Sequence, residues 1–219
     1  LFLGAMYHGV VIVPLNVLAG SKQIKYTIDH SECKLIFSSE FYLTKFEEIL
    51  NSSEVKAVQY SGIDSLKNSE KVGLNSALNL TQSHTPAVLI YTSGTTGVPK
   101  GALLSHKNVI AGGRNTALAH EVVSSDISFC VLPLYHINAE MVSIASALVS
   151  NSCVVTVGKF SVSNFWQIIE KHKISIFYTA PTAIRALIKA SEVDPKTHPK
   201  YFNLASLRLL GTVGEPINP

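Results

Sequence analysis

Short apolar runs alternate along most of the chain with stretches in which hydrophobic residues recur every three or four positions. Runs of the first kind predict buried strands, and the 3.6-residue period predicts helices with one inward face. The predicted strands cover residues 10–15, 34–38, 55–60, 87–91, 102–105, 127–132, 153–157, 174–178 and 207–213. The predicted helices cover residues 1–8, 21–31, 42–50, 107–122, 139–149, 165–172 and 182–190. This alternation predicts an α/β fold with mostly parallel sheets flanked by helices.

The first twenty residues carry no formal charge and reach the length of a membrane span. Pro14, Asn16 and His8 interrupt the apolar stretch, and β-branched residues follow a helix-like start. We therefore predict a buried helix end and a buried strand instead of a transmembrane segment. A signal peptide would open with Met and a basic segment, whereas this sequence opens with Leu1. The expectation is that the sequence begins inside a longer protein.

Composition narrows the class of protein. The chain has 219 residues, of which 47% are hydrophobic and 15% charged, which excludes a disordered chain or a disulfide-stapled miniprotein. A net charge of +3 without a block of basic residues does not indicate binding to nucleic acid or to a membrane surface. The three cysteines are widely separated and show no metal-binding spacing, which predicts no metal site and a reducing, cytoplasmic setting.

One segment carries recognisable chemistry, and it reads YTSGTTGVPKG over residues 91–101. Its glycines let backbone N–H groups approach an anion, its hydroxyls add donors, and Lys100 adds a positive charge, so the segment predicts a phosphate-binding loop. It is not a Walker A loop, because Pro99 stands where the second glycine belongs and Gly101 follows the lysine. The dinucleotide G-x-G-x-x-G and the hydrolase G-x-S-x-G patterns do not fit either.

This segment resembles the phosphate loop of the AMP-forming adenylating enzymes, which include acyl-CoA synthetases, luciferases and peptide-synthetase adenylation domains. The resemblance continues in residues 4–16 (GAMYHGVVIVPLN), 132–138 (LPLYHIN), 178–187 (YTAPTAIRAL) and 207–219 (LRLLGTVGEPINP). The last two segments are similar to acetyl-CoA synthetase and its relatives. The resemblance covers nearly the whole chain and implies stacked βαβ subdomains of the family's large N-terminal domain.

The resemblance also implies roles for single residues. Lys100 would stabilise the transition state, and His136 would orient or gate the acyl and adenylate site. The residues implied to bind the nucleotide are Thr92, Ser93, Gly94, Thr95, Thr96, Gly97 and Lys100 at the phosphates, and Gly214, Glu215 and Pro216 beside the adenine. The implied substrates are Mg²⁺-bound ATP, a carboxylic acid and CoA, and the oligomeric state stays open between a monomer and a homo-oligomer.

The expected domain organisation is a first βαβ part over residues 1–85 and a phosphate-loop and adenine/acyl-pocket part of the same domain over residues 86–219. Residues 61–85 are rich in Ser, Asn, Gly and Lys and predict a loop or linker. The family's acidic magnesium-binding motif, ribose-binding Asp and small C-terminal domain have no counterpart in this sequence. The expectation is therefore an incomplete N-terminal domain.

Three hypotheses follow for the function. The first is an AMP-forming acyl-CoA synthetase, the second an adenylation domain that loads a carrier protein, and the third a catalytically inactive nucleotide-binding or interaction fragment. The acetyl-CoA-synthetase-like segments favour the first. The acid is open, because those segments suggest a short acid while the Tyr135-His136 loop resembles that of ligases for longer or carnitine-related acids. The acyl pocket is expected near residues 136–143 and 179–182.

Overall fold

The structure is a computed structural model that describes residues 1–59, 81–92 and 98–212. Its internal contacts divide the chain into two units, residues 1–106 and 107–219. The division predicted between residues 85 and 86 separates two parts of one domain and is not the same as this division into units. It stays a prediction.

The helices and strands of the first unit follow the predicted order. The helices are α1 (Phe2–Tyr7), α2 (Ser21–His30), α3 (Glu40–Lys45) and α4 (Glu47–Asn51), and the strands are β1 (Leu35–Ser38), β2 (Lys56–Gln59), β3 (Pro86–Thr92) and β4 (Lys100–Ser105). β1 and β2 pair in parallel, as expected for a βαβ unit, whereas β3 and β4 form an antiparallel hairpin. Helix α2 has the predicted inward face, since Ile24 and Ile28 are buried and pack with Ile36 and Ile49.

Two predictions in this unit were wrong in detail. Residues 10–15 do not form a strand and contribute one parallel bridge, between Ile12 and Val88. The single helix predicted over residues 42–50 is two short helices, because the backbone of Phe46, between Lys45 and Glu47, is not helical. Neither difference alters the expected α/β class.

The second unit contains a four-stranded sheet flanked by helices. The strands are β5 (Ile127–Cys130), β6 (Cys153–Thr156), β7 (Ile176–Thr179) and β8 (Leu209–Thr212), and the helical segments are α5 (His106–Ala119), a π-helix (Ala139–Ala145), α6 (Ser146–Ser150), α7 (Phe165–His172), α8 (Pro181–Val193) and the 3-10 turns Pro195–Thr197 and Pro199–Tyr201. The strand order is β6-β5-β7-β8, and every pair is parallel. Helix α5 begins at the last residue of the first unit.

The two faces of this sheet are covered by different helices, as the alternation of side chains along a strand requires. On one face, Phe129 and Phe177 pack with Phe165 and Ile169 of α7 and with Leu187 of α8. On the other, Ile176 and Tyr178 pack with side chains from α5, from the segment after it and from the π-helix, namely Ala117, Val122 and Val142. Since both faces are occupied by packing, the strand ends are where side chains can meet a ligand.

Candidate functional site

The hairpin of β3 and β4 brings the two ends of the predicted phosphate loop together. Thr92 and Lys100 are opposite each other in the last pair of the ladder, and Tyr91 is opposite Gly101 in the pair before. Both Thr92 and Lys100 are exposed. The remaining predicted loop residues, Ser93, Gly94, Thr95, Thr96 and Gly97, lie outside the described residues. The lysine charge and the first loop hydroxyl are thus placed at the same end of the hairpin.

The strand that leads into the loop is anchored in the core of the first unit. Ala87, Val88 and Ile90 are 0%, 0% and 3% exposed. The backbone of Ile12 extends this anchoring, since its N–H donates to Ala87 (2.9 Å) and its carbonyl accepts from the N–H of Leu89 (2.8 Å). A buried strand with backbone hydrogen bonds on both edges is a rigid support for the motif residue Thr92 at its end.

The first and last residues of the motif touch across this hairpin. A Cβ atom on Gly101 would lie 3.3 Å from the Tyr91 ring and 3.0 Å from the side chain of Leu89, so only glycine fits without displacing a neighbour. The Tyr91 hydroxyl lies 2.7 Å from Nδ1 of His30 at the end of α2, and the His30 ring stacks on Tyr26. Burial raises the pKa of Tyr91. Sequence reasoning missed His30, because the two residues are sixty-one positions apart.

His136 lies in the turn that follows β5. Its side chain is exposed, and its ring centroid is 4.6 Å from that of Tyr135. Its N–H donates to the carbonyl of Pro133 (3.0 Å), which closes the turn before the π-helix. In a parallel sheet the segments after the strands meet at the carboxyl edge, where ligands of α/β folds bind. Three other predicted site residues of the second unit lie outside the described residues, namely Gly214, Glu215 and Pro216.

Glu140, the second residue of the π-helix, is a functional candidate that sequence reasoning missed. It is 4% exposed, and neither carboxylate oxygen has a hydrogen-bond partner among the residues that the structure describes. Burial raises its pKa to about 7. The side-chain oxygen of Asn138 is likewise buried without a partner in the described part of the chain. A signal was available, since Glu140 is the one charged residue of the helix predicted over residues 139–149.

A second polar cluster lies at the opposite, amino end of the same sheet. Arg208 donates to both carboxylate oxygens of Asp126, at 2.9 and 2.6 Å, and Ser175 donates to Asp126 at 2.7 Å. The hydrogen bonds from Arg208 hold the pKa of Asp126 at about 2. Because the cluster is at the amino end of the sheet, whereas His136 follows a strand at the carboxyl end, its geometry fits a structural role.

Among the described residues, no group of three His, Cys, Asp or Glu side chains is arranged to hold a metal ion. The three cysteines are free thiols. Within the described ranges, no helix is both long enough and apolar enough to cross a membrane.

The chain has an α/β fold in which a hairpin carries the two ends of the predicted phosphate-loop motif. Its structure superimposes on that of ATP-bound MatB from Rhodopseudomonas palustris with a TM-score of 0.80 at 20% identity, over 99% of this chain and 42% of the other. The model of the AMP-binding enzyme family matches residues 1–219. The chain therefore belongs to that family.

Two curated relatives agree with this assignment. The chain is 34% identical over 215 residues to a sulfoacetate–CoA ligase of Cupriavidus necator, which covers 95% of this chain and 42% of the relative. It is 42% identical over 139 residues to an acetyl-coenzyme A synthetase of Herminiimonas arsenicoxydans, which covers 61% of this chain and 21% of the relative. The chain thus spans less than half the length of these curated relatives.

Proposed function

We propose that the protein activates a carboxylic acid with ATP and transfers the acyl group to CoA. The observation that carries the proposal is the pairing of Thr92 with Lys100, which closes the phosphate-loop motif at the end of an anchored hairpin. Membership of the AMP-binding enzyme family and the ligase names of two relatives support it.

The proposed reaction has two steps. A carboxylate oxygen of the acid attacks the α-phosphorus of ATP, and the bond to the bridging oxygen breaks, which releases pyrophosphate and leaves an acyl-adenylate. The sulfur of CoA then attacks the acyl carbon, the bond to the AMP oxygen breaks, and the thiol proton is lost to solvent. Mg²⁺ enters with ATP as part of the substrate, since it is held by phosphate oxygens of the nucleotide and keeps several waters.

In this reaction the residues of the chain act by charge and orientation. Attack of a carboxylate on a polyphosphate brings negative charges together, so a fixed cation and aligned N–H and O–H donors lower the barrier. Lys100 supplies the cation at the exposed end of β4, and Thr92 with Ser93, Gly94, Thr95, Thr96 and Gly97 would supply the donors. His136 would orient the acyl group, and Gly214, Glu215 and Pro216 would border the adenine.

Several finer assignments belong to the same proposal. They are a division into two parts between residues 85 and 86, a cytoplasmic location, participation in fatty acid metabolism and a homo-oligomeric state. A carrier-protein thiol in place of CoA is the alternative acceptor, and an inactive nucleotide-binding fragment is the alternative from another class.

The test is ATP–pyrophosphate exchange by the whole gene product with a panel of carboxylic acids. Lys100→Ala is expected to lower exchange by about 100-fold, because it removes a charge at the reacting phosphates. Lys159→Ala, which removes an exposed lysine of the second unit, is the matched control and should leave exchange unchanged. Absence of exchange with every acid would refute the proposal, and thioester formation with a carrier protein but not with CoA would select the alternative acceptor.

A further inference from the structure

His30, the last residue of α2, contacts the first residue of the phosphate-loop motif. Its Nδ1 atom lies 2.7 Å from the hydroxyl of Tyr91, which is a short and well-formed hydrogen-bond distance. The two rings meet edge to face, with their centroids 5.7 Å apart. This contact joins residues that are sixty-one positions apart in the chain, and the proposed reaction gives neither side chain a role.

Both partners of this hydrogen bond belong to elements that packing holds in place. The His30 ring stacks on the ring of Tyr26 in the same helix, with centroids 5.1 Å apart and planes 29° from parallel. Ile24 and Ile28 of that helix are buried, as is Ile90, the residue before the tyrosine in β3. The hydrogen bond therefore joins a packed helix to a packed strand.

The contact lies one position before the pair that closes the motif. Tyr91 is opposite Gly101, and the ring carbon that bears the hydroxyl is 3.3 Å from the place of a Cβ on that glycine. The next pair of the ladder is Thr92 with Lys100. Successive side chains of a strand point to opposite faces, so the tyrosine and His30 hold one face of the hairpin while the other face carries the threonine and the lysine. A shift of the tyrosine ring would therefore be felt by both strands at the base of the loop.

The strength of this hydrogen bond suits a positioning role. His30 is exposed and Tyr91 is half-buried, and a neutral hydrogen bond is worth about fivefold in an equilibrium constant. That is small beside the stability of a whole fold, but it is enough to bias the arrangement of one hairpin end. Burial raises the pKa of Tyr91, so its hydroxyl keeps its proton near neutral pH and stays available for the bond. The apparent affinity for a ligand falls in proportion to the fraction of protein in the binding-competent arrangement.

We infer that His30 is a positioning residue for the phosphate loop, which it holds through Tyr91 in the arrangement that binds the phosphates of ATP. The inference rests on the proposed function, because it names a residue that supports the same site. His30 itself touches no reacting group, and its effect passes through the tyrosine to the strands that carry Thr92 and Lys100.

The test separates the hydrogen bond from the ring contacts, by ATP–pyrophosphate exchange with the whole gene product and an acid that it activates. His30→Phe keeps the ring and removes the bond, so it is expected to raise the KM for ATP about fivefold and to leave kcat and the KM for the acid within about twofold. His30→Asn places an amide group close to the position of Nδ1 and should return the KM for ATP to within about twofold of the unchanged protein. Tyr91→Phe should match His30→Phe, and the two together should have no larger effect than either alone, since both remove the same bond.

The control is His8→Phe, which changes an exposed histidine that also meets a tyrosine ring edge to face, that of Tyr7, at 5.7 Å, and it should leave the KM for ATP unchanged. An unchanged KM for ATP in His30→Phe, additive effects of the two phenylalanine variants, or no recovery in His30→Asn would overturn the inference while the proposed function stands. No exchange by the unchanged protein with any acid would overturn both. If His30→Phe does not fold, Tyr91→Phe decides, because a fivefold rise in the KM for ATP supports the inference and an unchanged value overturns it.

Discussion

At the scale of single residues, the phosphate-loop motif has a packing explanation for its two terminal positions. Tyr91 and Gly101 are opposite each other in the hairpin, and the tyrosine ring occupies the space that a side chain on residue 101 would need. The tyrosine hydroxyl is in turn fixed by His30. The motif therefore specifies the support of the loop as well as the groups that would contact phosphate.

Gly101→Ala tests this support. The added methyl group would lie 3.0 Å from the Leu89 side chain and 3.3 Å from the Tyr91 ring, so the hairpin must shift at the base of the loop. We expect a loss of about 1 kcal/mol in unfolding free energy and an increase of about tenfold in the KM for ATP. Chemical denaturation and exchange kinetics measure the two effects. Gly158→Ala is the matched control, because no neighbouring atom lies within 4 Å of the place that its methyl group would take; equal effects of the two variants would contradict the explanation.

Single residues of the candidate site differ in whether the sequence alone could predict them. The eleven-residue motif is recognisable because its chemistry is contiguous in sequence. The contacts of Tyr91 with His30 and of Asp126 with Arg208 escape such reasoning because they join residues sixty-one and eighty-two positions apart. Glu140 escapes it for another reason, since periodicity assigns a helix without showing which of its polar residues lack partners.

At the scale of elements, periodicity predicted helix α7 with the bounds that the structure gives, Phe165–His172. Phe165 and Ile169 are buried as expected from their spacing, whereas His172, predicted on the same face, is exposed. The helix predicted over residues 139–149 divides into a π-helix and an α-helix. Hydrophobic period alone does not distinguish these two forms over so short a stretch.

The Asp126 cluster joins three strands of the parallel sheet at their amino ends. Asp126, Ser175 and Arg208 each directly precede a strand, namely β5, β7 and β8. Arg208 also donates to the backbone carbonyls of His120 and Glu121 beyond the end of α5. The cluster therefore fixes the amino edge of the sheet, while His136 follows β5 at the carboxyl edge.

This arrangement predicts a defined acid sensitivity. Because the folded-state pKa of Asp126 is lowered from 3.8 to about 2, its contribution to stability is complete above pH 4 and is lost as the pH falls through 2. We expect it to amount to about 2 kcal/mol, measured by denaturation at a series of pH values. Arg208→Met should remove that part of the pH dependence and destabilise the protein by about 2 kcal/mol at neutral pH, since it leaves a buried carboxylate without its cation.

The matched control removes a different cation. Lys25→Met breaks the Lys25–Asp29 ion pair, whose two side chains are 42% and 48% exposed, and should leave stability at neutral pH nearly unchanged. If Arg208→Met and Lys25→Met changed the unfolding free energy equally, the Asp126 cluster would not be what fixes the sheet edge.

At the scale of the whole molecule, the small share of charged residues is accompanied by exposed apolar side chains. Leu18, Phe41, Leu118 and Val193 are 77%, 68%, 79% and 79% exposed. Single exposed apolar residues are ordinary in soluble proteins. Many large exposed apolar side chains, however, favour association between copies of a chain. In the first unit an apolar cavity of about 570 Å³ adds to this surface, and Val11 and Phe37, which line it, are themselves exposed.

We therefore expect the 219-residue chain to self-associate in a concentration-dependent manner. Sedimentation velocity over a dilution series measures the effect, and Phe41→Glu should shift the distribution towards the monomer because it places a charge where an apolar side chain would be buried. Ser39→Glu, which adds the same charge two residues away at the N-cap of α3, is the control and should leave association unchanged. A chain that is monomeric at every concentration would show that these side chains are tolerated singly, and the proposed homo-oligomer would lose its physical basis.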